Sequence, residues 1–307
     1  MQRSTEAHRD AGPLRVAAVL PVAGSHGLLA GCVDALLAQE RAIDEVIVVD
    51  DSPNGALTEI EGVRILRSGG RGPYAARNIG WRSTEADVVL FLDVRSRPHP
   101  SWARRLREAF DDPAVALAGS EVRVLSGEAV GARAAARHQF FRLRNYLSNP
   151  FFLPYLPTCN LAARRDDLAA VDGFLEVRSG ADADLCWRIL SRSGRELRAI
   201  EDVLMDWVPR TGIWAYIEQN YRYGKSNYML RRRWEDAGCP QLEPLPRAEL
   251  AKLVLRRATR TGIEAARRDP DRLLARMYGD ARAAFKLGYR LAAEQERRAR
   301  RRDCAYA

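Results

Sequence analysis

A chain of 307 residues, 47% of them hydrophobic, is long enough for one large α/β unit or two small ones and has ample material for a core. No apolar run approaches the roughly 18 residues that span a bilayer, the polar stretch from Met1 to Gly12 lacks the apolar segment of a secretory signal, and the five cysteines (Cys32, Cys159, Cys186, Cys239, Cys304) form no CxxC pair. A membrane-threading enzyme, a zinc ribbon and a disulfide frame are therefore not indicated and a reducing cytoplasm is expected, while the net charge of +9, supplied mainly by arginine, favours a phosphate-bearing partner.

Residues 1–13 are expected to form a flexible N-terminus. Leu14 to Val22 reads as a first strand, ending near Pro21. A small-residue loop, Ala23 to Gly27, leads to Leu28 to Gln39, where Leu29, Val33, Leu36 and Leu37 fall at helical spacing. Glu45 to Val49 is a second buried strand, and it ends in Asp50 and Asp51. Val63 to Leu66 is a third. A Gly-rich stretch, Ser68 to Pro73, precedes a helix from Tyr74 to Arg82. Val88 to Leu92 is an unbroken apolar run, so both faces of this strand must be covered and it belongs in the middle of a sheet. The run stops at Asp93. Strands alternating with helices predict a doubly wound, mostly parallel α/β sheet with helices on both faces. Strands that end in carboxylates predict one cleft at their carboxyl ends. Taken alone, Asp93 serves equally well as a turn cap. Neither GxGxxG nor GxxxxGK[ST] follows the first strand, so the dinucleotide fingerprint and the P-loop are missing.

Further along, Ala114 to Gly119 and Glu121 to Leu125 suggest strand structure. Ala132 to Tyr146 reads as a helix whose Phe140, Phe141 and Tyr146 pack, with Asn149-Pro150 breaking it. Cys159 has no evident base partner and is assigned to the core. A helix runs from Leu185 to Ser193, with Asp182 and Asp184 placed to cap it. Another runs from Ile213 to Trp234. Gly238 to Pro246 is a linker, followed by helices over Ala248 to Arg268 and Pro270 to Arg302. In the last, Leu274, Met277, Ala281, Phe285, Gly288 and Leu291 form a stripe at helical spacing. That stripe packs on the main domain or on a second copy in a homodimer. Alternatively, this arginine-rich helix is a peripheral contact with an anionic membrane at its inner face. Nucleic acid is disfavoured, because no basic motif with interleaved aromatics is present.

Several segments together resemble the family 2 glycosyltransferases. They are Leu20-Pro21-Val22, Asp44 to Ser52, Arg71 to Gly80 (the family's Gly-x-x-x-Ala-Arg-Asn-x-Gly), and Leu92-Asp93-Val94-Arg95 at the place of Asp-x-Asp. Pro157 to Arg165 and Gly173-Phe174, with Asp172 in place of a glycine, continue the likeness. Gly180 to Arg188 resembles Gly-Glu-Asp-x-Asp-Leu-x-x-Arg. The resemblance extends from Leu14 to Ser226. It implies a GT-A fold over residues 14–237, with a helical C-terminal extension over 238–307. It implies inverting transfer from a nucleotide sugar, a UDP-sugar being favoured, to an acceptor hydroxyl. Asp182 matches the catalytic base. Pro21 and Asp51 match the donor side, with Asp51 on the nucleotide base. Arg77 would face the diphosphate, and Asp93 the ribose and the metal-diphosphate group. Asn160, Arg222 and Lys225 match the phosphate or acceptor side.

Three departures bear on the chemistry. Arg95 replaces the second carboxylate of Asp-x-Asp, Ala181 replaces the glutamate before the base, and Asp206 stands where many relatives carry a histidine. The family implies Mn²⁺ or Mg²⁺ on the diphosphate. In one reading Arg95 takes the metal's place, paired with Asp206, and transfer is metal-independent. In a second, Arg95 blocks the metal and the chain is a weak or inactive nucleotide-sugar-binding relative that acts as a partner or scaffold. In a third, Asp206 joins Asp93 as a metal ligand. Retention of Asp51, Asp93 and Asp182 favours the first.

Overall fold

The computed structural model describes residues 13–305 except 25, 149 and 267–269. The expected flexible N-terminus, apart from Pro13, lies outside them, as do Asn149 of the expected helix break and the side chains of Arg301 and Arg302. The first half alternates as the sequence predicts: β1 (Val16–Val22), α1 (His26–Leu37), β2 (Glu45–Asp50), β3 (Arg64–Arg67), α2 (Pro73–Arg82) and β4 (Val88–Leu92). Then come β5 (Ser96–Pro98), α3 (Trp102–Ala109), β6 (Val115–Val124), α4 (Val130–His138), β7 (Asn160–Arg164), α5 (Arg165–Ala170), α6 (Ala181–Ser193) and β8 (Glu196–Trp207). Three long helices follow: α7 (Ile213–Arg233), α8 (Arg247–Ala266) and α9 (Pro270–Ala305).

All the strands join one eight-stranded sheet, in the order β3-β2-β1-β4-β7-β6-β8-β5. The β3-β2-β1-β4 half is parallel throughout. β7 runs antiparallel to both β4 and β6, and β5 is antiparallel to β8 at the edge. β1 and β4 are buried along their whole length because each face meets a helical layer. Ala18, Leu20, Val48 and Leu90 pack with Leu29 and Leu36 of α1 and Trp102 of α3. Val19, Ile47, Val49 and Phe91 face Tyr74 and Trp81 of α2 and Leu185 of α6. Each such large side chain is worth about 1.5–3 kcal/mol when fully buried.

Two helix boundaries differ from the sequence reading by four residues or more. α4 stops at His138 rather than continuing to Tyr146. Gln139 adopts φ 41°, and its side-chain amide clasps β6, accepting from Val124 N–H at 3.0 Å and donating to Val124 O at 2.8 Å. That tertiary grip ends the helix. α6 starts at Ala181, four residues before the expected Leu185, and Gly180 at φ 89° occupies the N-cap. Neither Asp182 nor Asp184 caps it.

The stripe on α9 is covered by the chain's own helices. Met277 and Ala281 are buried beside Tyr216 of α7 and Ala134 of α4. α7 and α9 cross at two glycines. A Cβ on Gly224 would collide with the Phe285 carbonyl, and one on Gly288 with the Tyr221 carbonyl. Of the alternatives for this stripe, packing on the main domain is the one the structure has, so the stripe is not available to a membrane surface. Among the described residues, no helix is long and apolar enough to cross a membrane.

Candidate active site

A cleft of about 450 Å³ opens at the carboxyl ends of β1, β2 and β4, where Pro21, Asp51 and Asp93 line it. α2, α6 and α7 supply further walls, and Phe285 of α9 reaches in as well.

The two carboxylates at the end of β2 have different surroundings. Asp50 is fully buried and accepts the backbone N–H groups of Ser52 (2.9 Å), Ala56 (2.7 Å) and Leu57 (2.9 Å). Burial pushes its pKa up, but these hydrogen bonds outweigh it and hold the pKa down at about 2. Asp50 therefore shapes the loop. Asp51 faces the cleft. Its Oδ1 accepts from Ser68 Oγ at 2.6 Å and from Gly72 N–H at 3.0 Å, while no described residue donates to Oδ2. Gly72 sits at φ 102°, a conformation that only glycine adopts without strain.

Arg77 is 2% exposed, so it is not an ordinary surface arginine. Its Nη2 donates to Asp93 Oδ1 at 2.5 Å, its guanidinium lies 5.4 Å from the Tyr74 ring centroid, and its Nε is buried without a partner. Asp93 remains one-third exposed, at 33%. A charge-assisted pair thus joins α2 to the end of β4 at the cleft floor.

Asp182 is half-buried in the first turn of α6 and lines the cleft. Burial raises its pKa. The Ala183 N–H, the Arg77 charge and the Thr158 N–H pull the other way without outweighing it. A carboxylate kept more basic than usual at a cleft wall is suited to accept a proton. Cys159 is buried and its thiol pKa is raised by that burial, which suits its assignment to the core. Phe141 and Tyr146, expected only to pack, also line the cleft.

Three residues expected at the site do not line it. Asn160 is buried, accepting from Trp102 Nε1 at 2.7 Å and donating to Ser120 O and Oγ at 2.8 Å each, so it ties β7 to α3 and β6. Asp206 does not pair with Arg95. Alternation along β8 turns Trp207 toward the cleft and Asp206 to the opposite face, where Asp206 binds Arg123 (2.7 and 2.8 Å) and His99 (3.2 Å). On α7 the cleft is lined by Gln219, Arg222, Tyr223, Ser226, Asn227 and Leu230, a helical stripe that leaves Lys225 off it. Arg222 lies on that stripe and pairs with Glu218 at 2.9 Å.

The donor set is poor for a divalent cation. Such ions take at least one or two protein carboxylates, with substrate phosphates and water completing the shell. Here Arg95 holds the second Asp-x-Asp position, Asp93 Oδ1 is taken by Arg77, and Asp206 faces away. Among the described residues, no group of three or more His, Cys, Asp or Glu side chains is placed to hold a metal. The reading in which Asp206 supplies a ligand is overturned. The cleft is instead rich in guanidinium groups: Arg77, Arg95, Arg178, Arg210 and Arg222 line it, against the carboxylates Asp51, Asp93 and Asp182. The sequence reading missed Arg178 and Arg210, which are isolated arginines in loops with no pattern to set them apart.

Comparison with known proteins agrees with this geometry. The family described as Glycosyl transferase family 2 matches residues 18–171. The chain is similar to pre-mycofactocin glycosyltransferase of Mycobacterium tuberculosis, with 33% identity over 251 residues. That match covers 77% of this chain and 51% of the relative, so the chain spans about half the relative's length. It is also similar to glycosyltransferase AglE of Haloferax volcanii, with 26% identity over 222 residues, 68% of this chain and 72% of that protein. Among solved structures, mannosyltransferase PcManGT from Pyrobaculum calidifontis, in complex with GDP-Man and Mn²⁺, has the same fold. Its TM-score is 0.53 at 19% identity over 89% of this chain and 88% of that chain. Motif order, cleft and family match converge on one assignment: the chain belongs to glycosyl transferase family 2.

Proposed function

We propose that this protein transfers a sugar from a nucleotide-sugar donor to an acceptor hydroxyl, with inversion at the anomeric carbon and without a bound divalent cation. The observation that carries this reading is Asp182, made more basic by burial, facing the same cleft as Asp51 and the Arg77–Asp93 pair. Asp51 Oδ2 accepts an N–H from the nucleotide base. Asp93, held by Arg77, meets the ribose, and Arg77 lends positive charge on the diphosphate side. The acceptor oxygen attacks the anomeric carbon from the face opposite the diphosphate, and its proton passes to Asp182. The bond from the anomeric carbon to the diphosphate oxygen breaks, and the diphosphate leaves with the electron pair. A single displacement inverts the centre. The scarcity of carboxylate donors for a cation in the cleft supports the metal-independent form.

The test uses slow donor hydrolysis, with water in the acceptor's place. UDP- and GDP-sugars are incubated with the protein in EDTA, and ¹H NMR reads the first-formed anomer of the released sugar. Release of the inverted anomer, lost in Asp182→Asn, is expected. A retained anomer, or release only after Mn²⁺ or Mg²⁺ is added, overturns the corresponding part of the proposal.

A further inference from the structure

Arg95 and Arg210 line the cleft together and are tied through one stretch of backbone. Val208 N–H donates to Arg95 O at 2.9 Å. In return, Arg95 Nη1 donates to Val208 O and Pro209 O, 3.2 Å each. The segment that carries Arg210 is thereby fixed to the turn after β4. Arg95 also lies beside the Trp207 ring, 5.9 Å from its centroid. With Nη1 engaged, Arg95 keeps Nε and Nη2 free of any described partner, and these are the two donors of a guanidinium fork. Arg210 makes no hydrogen bond or ion pair with any described residue. Burial, and then the like charge of Arg210, lower the pKa of Arg95, so the two cations feel each other. Neighbouring guanidiniums in a half-buried cleft are costly without an anion between them. Two fork donors suit a phosphate group, which accepts bidentate hydrogen bonds.

We infer that Arg95 and Arg210 form a clamp on the distal phosphate of the donor's diphosphate and neutralise it as it leaves, in the place of a divalent cation. The inference rests on the nucleotide-sugar reading above and adds Arg210 to the site. As the bond to the anomeric carbon breaks, negative charge builds on the leaving diphosphate oxygen. Arg95 meets it with donors already fixed by the Val208 and Pro209 carbonyls, so little reorganisation of that half of the clamp is needed. Arg97, a further cation beside Arg95, is spent elsewhere, with its guanidinium on the Val94, Ser96 and Leu28 carbonyls.

The test is a ratio of affinities, measured by calorimetry on the full chain with UDP against UMP and GDP against GMP, in EDTA and in Mn²⁺. The wild type should hold one diphosphate about tenfold to a hundredfold tighter than its monophosphate in EDTA, with no gain from Mn²⁺. Arg210→Ala should cut that preference by about tenfold while the monophosphate affinity stays within about twofold. This variant is the decisive one, because Arg210 supports no other described residue. Arg210→Lys should recover the charge but not the fork, and fall between the two. An unchanged ratio in Arg210→Ala, or a wild-type preference that disappears in EDTA, overturns the clamp and leaves the donor reading standing. No binding by either nucleoside diphosphate would remove both.

Discussion

Asp182 and Asp184 stand two residues apart in the first turn of α6, and their carboxylates meet opposite surroundings. Asp182 faces the cleft and accepts from Ala183 N–H at 3.1 Å. Asp184 is fully buried and accepts from Arg188 Nε (2.7 Å), Arg233 Nε (2.7 Å) and Trp234 Nε1 (3.1 Å). The same side chain thus faces the cleft once and once holds α6 against the end of α7. Their substitutions should separate cleanly.

Asp182→Asn should lower kcat by about a hundredfold to ten-thousandfold, the usual contribution of a general base, while nucleotide binding persists. The stability effect has the opposite sign. Burial raises the pKa of Asp182, so between the unfolded and folded pKa values the native state holds the extra proton and stability falls as pH rises. At neutral pH the ionised group costs stability, and the amide removes that cost. The melting temperature of Asp182→Asn should equal or exceed the wild type's. In the wild type, the acid limb of kcat against pH should lie above the ordinary carboxylate range. A variant both inactive and clearly less stable would point to a structural role.

Asp184→Ala should instead destabilise by about 3–5 kcal/mol, the cost of removing one partner from a buried charged network. Arg188 would keep its bonds to the Val171 and Gly173 carbonyls, but Arg233 and Trp234 would lose their acceptor. Urea denaturation at pH 7 measures this. Loss of activity should follow loss of the fold, not precede it.

The parallel half of the sheet was legible because its central strands are unbroken apolar runs that stop at aspartate or turn residues. Asp51, Arg77, Asp93 and Asp182 were legible because motif order placed them together. β8 was not, since Glu196 to Trp207 mixes charges with apolar residues and lies half in solvent. β5 has three residues and no periodicity to read. The α4 stop at Gln139 depends on a grip on Val124, a contact between residues 15 apart in sequence. Asn160, Asp206 and Lys225 lie on β7, β8 and α7, next to residues that line the cleft, but their own side-chain directions follow strand and helix phase. Arg210 becomes informative only when its neighbour in space, Arg95, is known.

Asp50 makes a prediction in pH. Its folded pKa of about 2 lies below the roughly 3.9 of a free aspartate, so its stabilisation is complete above the free value and is lost as pH falls through the folded one. The shift corresponds to about 2–3 kcal/mol. Asp50→Asn should therefore cost about that much at pH 7, with the gap to the wild type closing below pH 4. Urea midpoints across that range test it. A gap independent of pH would assign the cost to packing.

The α7–α9 crossing predicts opposite signs for one chemical change. Gly288→Ala puts a methyl against the Tyr221 backbone carbonyl, which cannot move aside as a flexible side chain can. Overpacking of this kind costs about 1–3 kcal/mol. Relief would push α9 outward, and Phe285, one helical turn earlier, would leave the cleft wall. Gly288→Ala should therefore raise KM for the sugar donor or acceptor as well as lower the melting temperature. Gly262→Ala on α8 is the control. It is exposed, with nothing within 4 Å of an added Cβ, so the variant should gain about 0.4–1 kcal/mol from a less flexible unfolded chain and leave KM unchanged. Equal effects at the two positions would mean that α9 does not support the cleft.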